Sequence, residues 1–138
     1  SGTVAAAMEG ALRGINSIAL SQLGGDHKSN SYLCSKNYSV EIIKNLLKLK
    51  IKAPLYFNVN FPLNISESDN SNFLYTKLAS QKKSDEIFVH NSESSYKIGR
   101  MLNSCQSTQE TDMDALRKNK ISLTPLTLDL TNISLRTV

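Results

Sequence analysis

The chain opens with Ser1-Gly2-Thr3-Val4-Ala5-Ala6-Ala7-Met8-Glu9-Gly10. Apolar side chains recur here at helical spacing, which predicts a helix over residues 3–13 that ends at Gly14. With Thr3 as the N-cap, the third helical position is an alanine, so no capping box occupies the first backbone N–H groups. Those donors coincide with the positive end of the helix dipole. The stretch therefore predicts an anion-binding helix start formed by Ser1, Gly2 and Thr3.

The residues after this helix predict an alternation of strands and helices. A short apolar strand is expected over residues 15–21, a polar loop over 22–31 and a second helix over 34–50 that ends before Ala53-Pro54. In that helix we expect an apolar side made of Val40, Ile43, Leu46 and Leu47, with Lys44 and Lys48 in solvent. Helix, glycine and strand in succession are typical of an α/β fold.

Residues 55–61 alternate and predict a strand that places Asn58 and Asn60 on one face. These two amides either contact a ligand or form local hydrogen bonds, and the local role is the commoner one. Another strand is expected over residues 73–79, and two short strands flank a polar tip over residues 87–99. Thr111-Asp112 is expected to cap a short helix, and a strand follows over residues 121–126, where Pro125 predicts an edge or a bend.

Length and charge limit the classes of protein to consider. The 138 residues are enough for a single domain with a core, and the net charge is +4 with a pI of about 9.1. No stretch resembles a signal peptide or a membrane span, so no membrane partner is expected. The lysine clusters lack interleaved aromatic residues, so nucleic-acid binding is not expected either. Cys34 and Cys105 are isolated thiols without zinc-ligand spacing, which favours a reducing, cytoplasmic compartment.

The reactive residue types form no recognisable catalytic arrangement. There is no nucleophile elbow and no Walker A lysine loop. The carboxylates Glu9, Asp112, Asp114 and Asp129 include no adjacent pair suited to a hard cation. His27 and His90 are expected to be a loop and a hairpin side chain, respectively, rather than catalysts. The residues alone therefore support anion binding and no metal site.

Three stretches together resemble the SurE survival-protein family of 5'/3'-nucleotidases. The first is residues 1–10 with Gly14-Ile15 and residues 18–21, the second is Phe57-Asn58-Val59-Asn60-Phe61-Pro62, and the third comprises Thr111-Asp112, Ala115, residues 121–126 and Asp129-Leu130-Thr131. Residues 22–54 and 63–110 resemble the family only in the order of their elements, which are a helix, a strand and a protruding hairpin. The resemblance implies an α/β, SurE-like three-layer sandwich with a protruding β-hairpin at about residues 85–101. It also implies that residues 1–138 are a single-domain C-terminal portion, without the N-terminal metal-binding half.

The resemblance implies a metal-dependent phosphomonoesterase that releases phosphate from nucleoside 5'- and 3'-monophosphates, and from short polyphosphate in some members. Family members hold Mg²⁺ or Mn²⁺ with an Asp-Asp pair, a Ser and an Asn, all of which would precede Ser1. The metal would polarise the phosphoryl group and activate a water, while the helix start would stabilise charge on the phosphate. No catalytic or metal-binding residue is then expected in this chain, which alone would be inactive; Ser1, Gly2 and Thr3 would hold the phosphate.

The resemblance further implies a homodimer or homotetramer. One departure is Ile133, which stands where some relatives have a histidine. Two other hypotheses remain: a non-catalytic binding or oligomerisation module of the same fold, and a basic nucleic-acid binder supported by charge alone.

Overall fold

The computed structural model describes residues 2–24, 32–65, 72–80 and 110–131, together with the backbone of 87–89 and 96–98. The elements in chain order are α1 (Gly2–Leu12), β1 (Ser17–Gln22), α2 (Leu33–Leu47), β2 (Tyr56–Phe61), β3 (Phe73–Tyr75), β4 (Ile87–Val89), β5 (Tyr96–Ile98), α3 (Asp112–Arg117) and β6 (Ile121–Pro125). Each element predicted from the sequence is present. The largest differences in length are at α2, which ends three residues early, and at β3, which ends at Tyr75 rather than at residue 79.

Four strands form one mixed sheet in the order β1-β2-β6-β3. β1 and β2 are parallel, β6 is antiparallel to β2, and β3 is parallel to β6. β4 and β5 pair with each other as a separate antiparallel ribbon. α2 explains how β1 and β2 can be parallel neighbours. Two adjacent parallel strands need a crossover connection, and this helix supplies it.

Helices pack on both faces of the sheet, which gives three layers. On one face, Phe57, Val59 and Phe61 of β2 join Ile42 and Leu46 of α2 in the larger apolar cluster. On the other face, Tyr56 of β2 and Ala19 of β1 join Ala7 and Ala11 of α1. Successive strand residues point to opposite faces, so the fully apolar β2 positions lie under α2 and the asparagines lie on the α1 face.

Gly14 ends α1 and turns the chain into β1. It has a φ of +78°, in the left-handed region that favours glycine. The Ile15 N–H donates to the Gly10 carbonyl and the Gly14 N–H to the Ala11 carbonyl, both at 3.0 Å. This pair of bonds is a Schellman motif, and it confirms the helix end predicted from the glycine.

The apolar side predicted for α2 is confirmed at Leu46, which is 2% exposed, and wrong at Val40 and Leu47. Val40 and Leu47 are 59% and 53% exposed, whereas the buried residues are Cys34, Ile42 and Leu46. These lie at spacings of eight and four, so they form the stripe that faces the sheet. Because α2 also carries apolar residues on its exposed side, spacing alone is compatible with two different apolar stripes. Lys44 and Lys48 are exposed, as predicted.

β6 lies inside the sheet, between β2 and β3, so the edge position predicted from Pro125 is wrong. Pro125 is the last residue of β6 and is paired with Phe57. The Leu126 N–H donates to the Tyr56 carbonyl at 2.9 Å, which makes Phe57 and Pro125 a non-hydrogen-bonded pair. Pro125 has no backbone N–H to donate, but β2 accepts no hydrogen bond from this position.

Within the part of the chain that the structure describes, no helix combines the length and the apolar character needed to cross a membrane.

Candidate functional site

The amino end of α1 points toward the carboxyl ends of β1 and β2. Gly10 lies against the start of β1, where an added Cβ would meet the Ser17 hydroxyl. Because a four-residue turn links α1 to β1 and Gly10 lies beside Ser17, the helix runs back along the strand, with its first residues on the side of the strand's last ones. Gly2 and Thr3 are both exposed at this end, and Ser1 lies outside the described residues. Carboxyl ends of parallel strands are where open α/β sheets bind ligands.

Side-chain contacts hold α1 against the sheet. The Tyr56 hydroxyl donates to the Val4 carbonyl at 3.3 Å, which ties the first turn of the helix to the first residue of β2. Leu126 and Leu128, after β6, pack against the same apolar cluster. The first turn carries no acidic residue, so no carboxylate of the helix itself competes for its N–H groups.

A cleft of about 310 Å³ lies at the same edge of the sheet, on the α2 side. Most of its lining residues are of polar type, although most of the exposed lining surface is apolar; they are Leu20, Ser21, Gln22, Tyr32, Ser35, Lys36, Ser39 and Phe61. The Gln22 side-chain oxygen accepts from the Ser35 N–H at 3.0 Å, so a strand residue caps α2 in place of Tyr32, which makes no side-chain cap bond. Sequence reasoning missed these residues. The signal that could have found them is the polar loop between β1 and α2, since such loops line ligand sites.

Asn58 and Asn60 both lie on β2, and Asn60 links that strand to β6. Asn58 is 5% exposed, and the Asn60 amide donates to the Ser122 hydroxyl of β6 at 3.3 Å. Beside them the Thr76 and Thr124 hydroxyls are 2.7 Å apart in a buried hydrogen bond. Among the described residues, every buried side-chain polar atom has a partner. Asn60 therefore bonds to a neighbouring strand and not to nearby backbone, while ligand contact by Asn58 or Asn60 stays a prediction.

The described carboxylates have structural roles or stand alone. One Asp112 oxygen accepts from the Ala79 and Met113 N–H groups, both at 2.9 Å. Asp114 pairs with Lys118 at 2.9 Å one turn later on α3. Asp129 accepts from the Thr131 N–H at 2.8 Å, and hydrogen bonds from Thr131 lower the pKa of this exposed carboxyl. Glu9 is exposed on α1.

The described residues do not fit the divalent metal that the resemblance implies. They contain no group of three His, Cys, Asp or Glu side chains placed to hold a metal ion. Asp112 and Asp114, although close in sequence, are occupied by backbone N–H groups and by Lys118. His27, His90, Cys105 and Ile133 lie outside the described residues. Cys34 is a free, buried thiol, and burial raises its pKa.

Comparison with known proteins gives consistent matches along the chain. The family described as Survival protein SurE matches residues 1–85. The 5'-nucleotidase SurE of Nitrosomonas eutropha is 30% identical over 134 residues, a region that covers 95% of this chain and 53% of that protein. The 5'-nucleotidase SurE of Phenylobacterium zucineum is 33% identical over 138 residues, covering 96% of this chain and 52% of that protein.

The crystal structure of the SurE protein from Aquifex aeolicus superposes with a TM-score of 0.71 at 28% identity, covering 99% of this chain and 55% of that one. The chain thus spans about half the length of the curated relatives it matches.

Proposed function

The chain belongs to the SurE survival-protein family, and on that premise we propose that it supplies the phosphate-binding helix start of a 5'-nucleotidase. Ser1, Gly2 and Thr3 bind the phosphoryl group of a nucleoside monophosphate in this proposal. The observation that carries it is the exposed amino end of α1, whose first turn contains no acidic residue. The names of the relatives support the reaction, phosphate release from a nucleotide.

The chemistry of the helix start suits a phosphate ester. The first four N–H groups of a helix have no partner within it, and the aligned peptide dipoles add partial positive charge there. Gly2 has open space around its α-carbon, so an oxygen can approach the backbone closely. The Thr3 hydroxyl adds a side-chain donor beside the N–H groups. These donors stabilise negative charge on the phosphate oxygens, and the stabilisation is larger as that charge increases.

We propose that a Mg²⁺ or Mn²⁺ ion takes part in the reaction and that its ligands lie outside residues 1–138. The described residues contain no ligand set, and no step of the chemistry is assigned to them beyond phosphate binding. The residues 1–138 then form a single-domain C-terminal portion that is inactive by itself. The proposal also includes activity on 3'-monophosphates and short polyphosphate. It further includes a homodimeric or homotetrameric state and a cytoplasmic location. The free thiol of Cys34 supports a reducing compartment.

The test is substitution of Thr3 in the natural polypeptide that carries this sequence. Thr3→Val removes the hydroxyl and keeps the shape, and we expect kcat/KM for a nucleoside 5'-monophosphate to fall on the order of 100-fold, because one transition-state donor is lost. Thr3→Ser is the matched control and should stay close to the unsubstituted enzyme. Phosphate release and binding of inorganic phosphate are measured together.

Two outcomes would count against the proposal. If Thr3→Val leaves turnover and phosphate binding unchanged, Thr3 does not contact the phosphate. If the unsubstituted polypeptide binds nucleotide but releases no phosphate at any concentration of Mg²⁺ or Mn²⁺, the non-catalytic binding or oligomerisation module becomes the better description.

A further inference from the structure

The opposite edge of the sheet, at the amino ends of β1 and β2, carries an unusual combination of charge and apolar surface. Two segments form it: residues 12–16 in the turn after α1, and residues 44–52 at the end of α2 and in the loop that follows. We call them the basic edge. Both lead into this edge of the sheet, where the Ser17 N–H donates to the Leu55 carbonyl at 2.6 Å and the Leu55 N–H to the Asn16 side chain at 2.8 Å, which joins the start of β1 to the residue before β2.

The basic edge contains five cations and no carboxylate. The cations are Arg13, Lys44, Lys48, Lys50 and Lys52, and all five are exposed. The nearest carboxylates along the chain are Glu9 and Glu41, each about one helical turn away. Both lie within reach of Arg13 and Lys44 on the helix surfaces, so they reduce the positive charge, but the five cations still outnumber them.

Large aliphatic side chains stand between these cations. Leu47, Leu49 and Ile51 are 53%, 41% and 52% exposed and alternate with the lysines. Ile15, in the adjoining turn, is 59% exposed. Single exposed aliphatic residues are ordinary, but a group of them within one edge marks an interaction surface.

We propose that the basic edge docks on an anionic phospholipid bilayer surface. Lysine and arginine side chains are attracted to anionic head groups, and their aliphatic neighbours enter the head-group layer. This is peripheral binding, which needs no spanning helix. It places the carboxyl edge, with the amino end of α1, on the side away from the bilayer and open to soluble substrate. The inference does not depend on the proposed function.

Charge and residue type decide against two other occupants, a second copy of the chain and single-stranded nucleic acid. A second copy docking through the same surface would bring five cations against five, which like charges disfavour. Single-stranded nucleic acid is held by aromatic platforms as well as cations, and the exposed apolar residues of the basic edge are all aliphatic. Aliphatic side chains flanked by lysines match acyl chains beneath anionic head groups.

The test is co-flotation of the natural polypeptide with vesicles of phosphatidylcholine alone or with 30% phosphatidylserine. We expect binding to the anionic vesicles only. The double variant Lys48→Gln/Lys50→Gln should lower the partition coefficient roughly 30-fold, at about fivefold per lysine. The matched control, Lys77→Gln/Lys118→Gln, removes the same charge outside the basic edge and should change binding little. Leu49→Ser/Ile51→Ser alters only exposed side chains and should also weaken binding.

Three results would overturn the proposal. Equal binding to both vesicle types, or none to either, shows that the basic edge does not recognise anionic lipid. Equal losses in the two lysine variants show that only net charge matters. Binding to duplex or single-stranded nucleic acid that is lost in Lys48→Gln/Lys50→Gln, without vesicle binding, identifies nucleic acid as the occupant instead.

Discussion

Cys34 shows how a single side chain is affected by its place in the fold. It is 5% exposed in the first turn of α2 and belongs to the larger apolar cluster. Burial disfavours the thiolate and raises the thiol pKa above its ordinary value of 9.0. The sequence predicted an isolated, reduced thiol. It did not predict burial, because the predicted apolar side of α2 did not include Cys34.

We predict that Cys34 reacts slowly with iodoacetamide in the folded protein, because the thiolate is the reactive form and is both scarce and covered. Mass spectrometry of the peptide containing Cys34 should show rapid alkylation only in denaturant. Stability should also fall as the pH rises above about 9, because the unfolded thiol then releases a proton that the folded one retains. Cys34→Ala should reduce that pH dependence. Equal alkylation rates in buffer and denaturant would contradict the buried position.

At the scale of single residues, the candidate site could be predicted only in part. The sequence predicted a helix start here, but Thr3 as its N-cap is wrong, because α1 begins at Gly2 and Thr3 lies within the first turn, where both residues are exposed. The cleft beside Gln22 and Ser35 was not predictable, because these residues are 13 positions apart and meet only when β1 and α2 pack together.

At the scale of elements, polar side chains join β6 to its neighbours on the α1 face of the sheet. Thr76, just after β3, and Thr124 of β6 are both buried and share a hydrogen bond of 2.7 Å. Asn60 and Ser122 form the corresponding contact between β2 and β6. The sequence predicted that the asparagines would share a face. Their partners could not be predicted, because residue periodicity gives the face of a strand and not its neighbour.

We predict that Thr124→Val destabilises the fold by about 1–3 kcal/mol, because it leaves the buried Thr76 hydroxyl without a partner. The double variant Thr76→Val/Thr124→Val should recover part of that loss, since neither hydroxyl then remains unpaired. The free energy of unfolding in urea measures both. Thr127→Val, at an exposed position, is the control and should stay within about 0.5 kcal/mol. Strictly additive costs of the two single substitutions would show that the hydroxyls are not coupled.

At the scale of the whole molecule, the sheet is completed by a strand from far along the chain. β6 joins β2 to β3, although about 60 residues separate it from β2 in sequence. The α/β class and the parallel β1–β2 pair were predictable from the alternation of helices and strands. The insertion of β6 was not, since strand order depends on contacts between distant segments, and Pro125 favoured an edge.

We predict that a chain ending at residue 109, without α3 and β6, loses cooperative unfolding, because β2 and β3 then have no common partner. Circular dichroism during urea titration should show a broad, shallow transition in place of a sharp one. Adding a synthetic peptide of residues 110–131 should restore the sharp transition. A truncated chain that unfolds as sharply as the parent would show that β6 is dispensable for the fold.

The central position of β6 has a consequence for synthesis on the ribosome. β1, α2 and β2 leave the exit tunnel long before residues 121–125, so the nascent chain waits with one side of β2 unpaired. Phe57, Val59 and Phe61, nearly inaccessible in the finished protein, are then shielded only in part. Such a nascent chain is a natural client for chaperones that bind apolar segments, and translation pauses before residue 121 would prolong its exposure to aggregation.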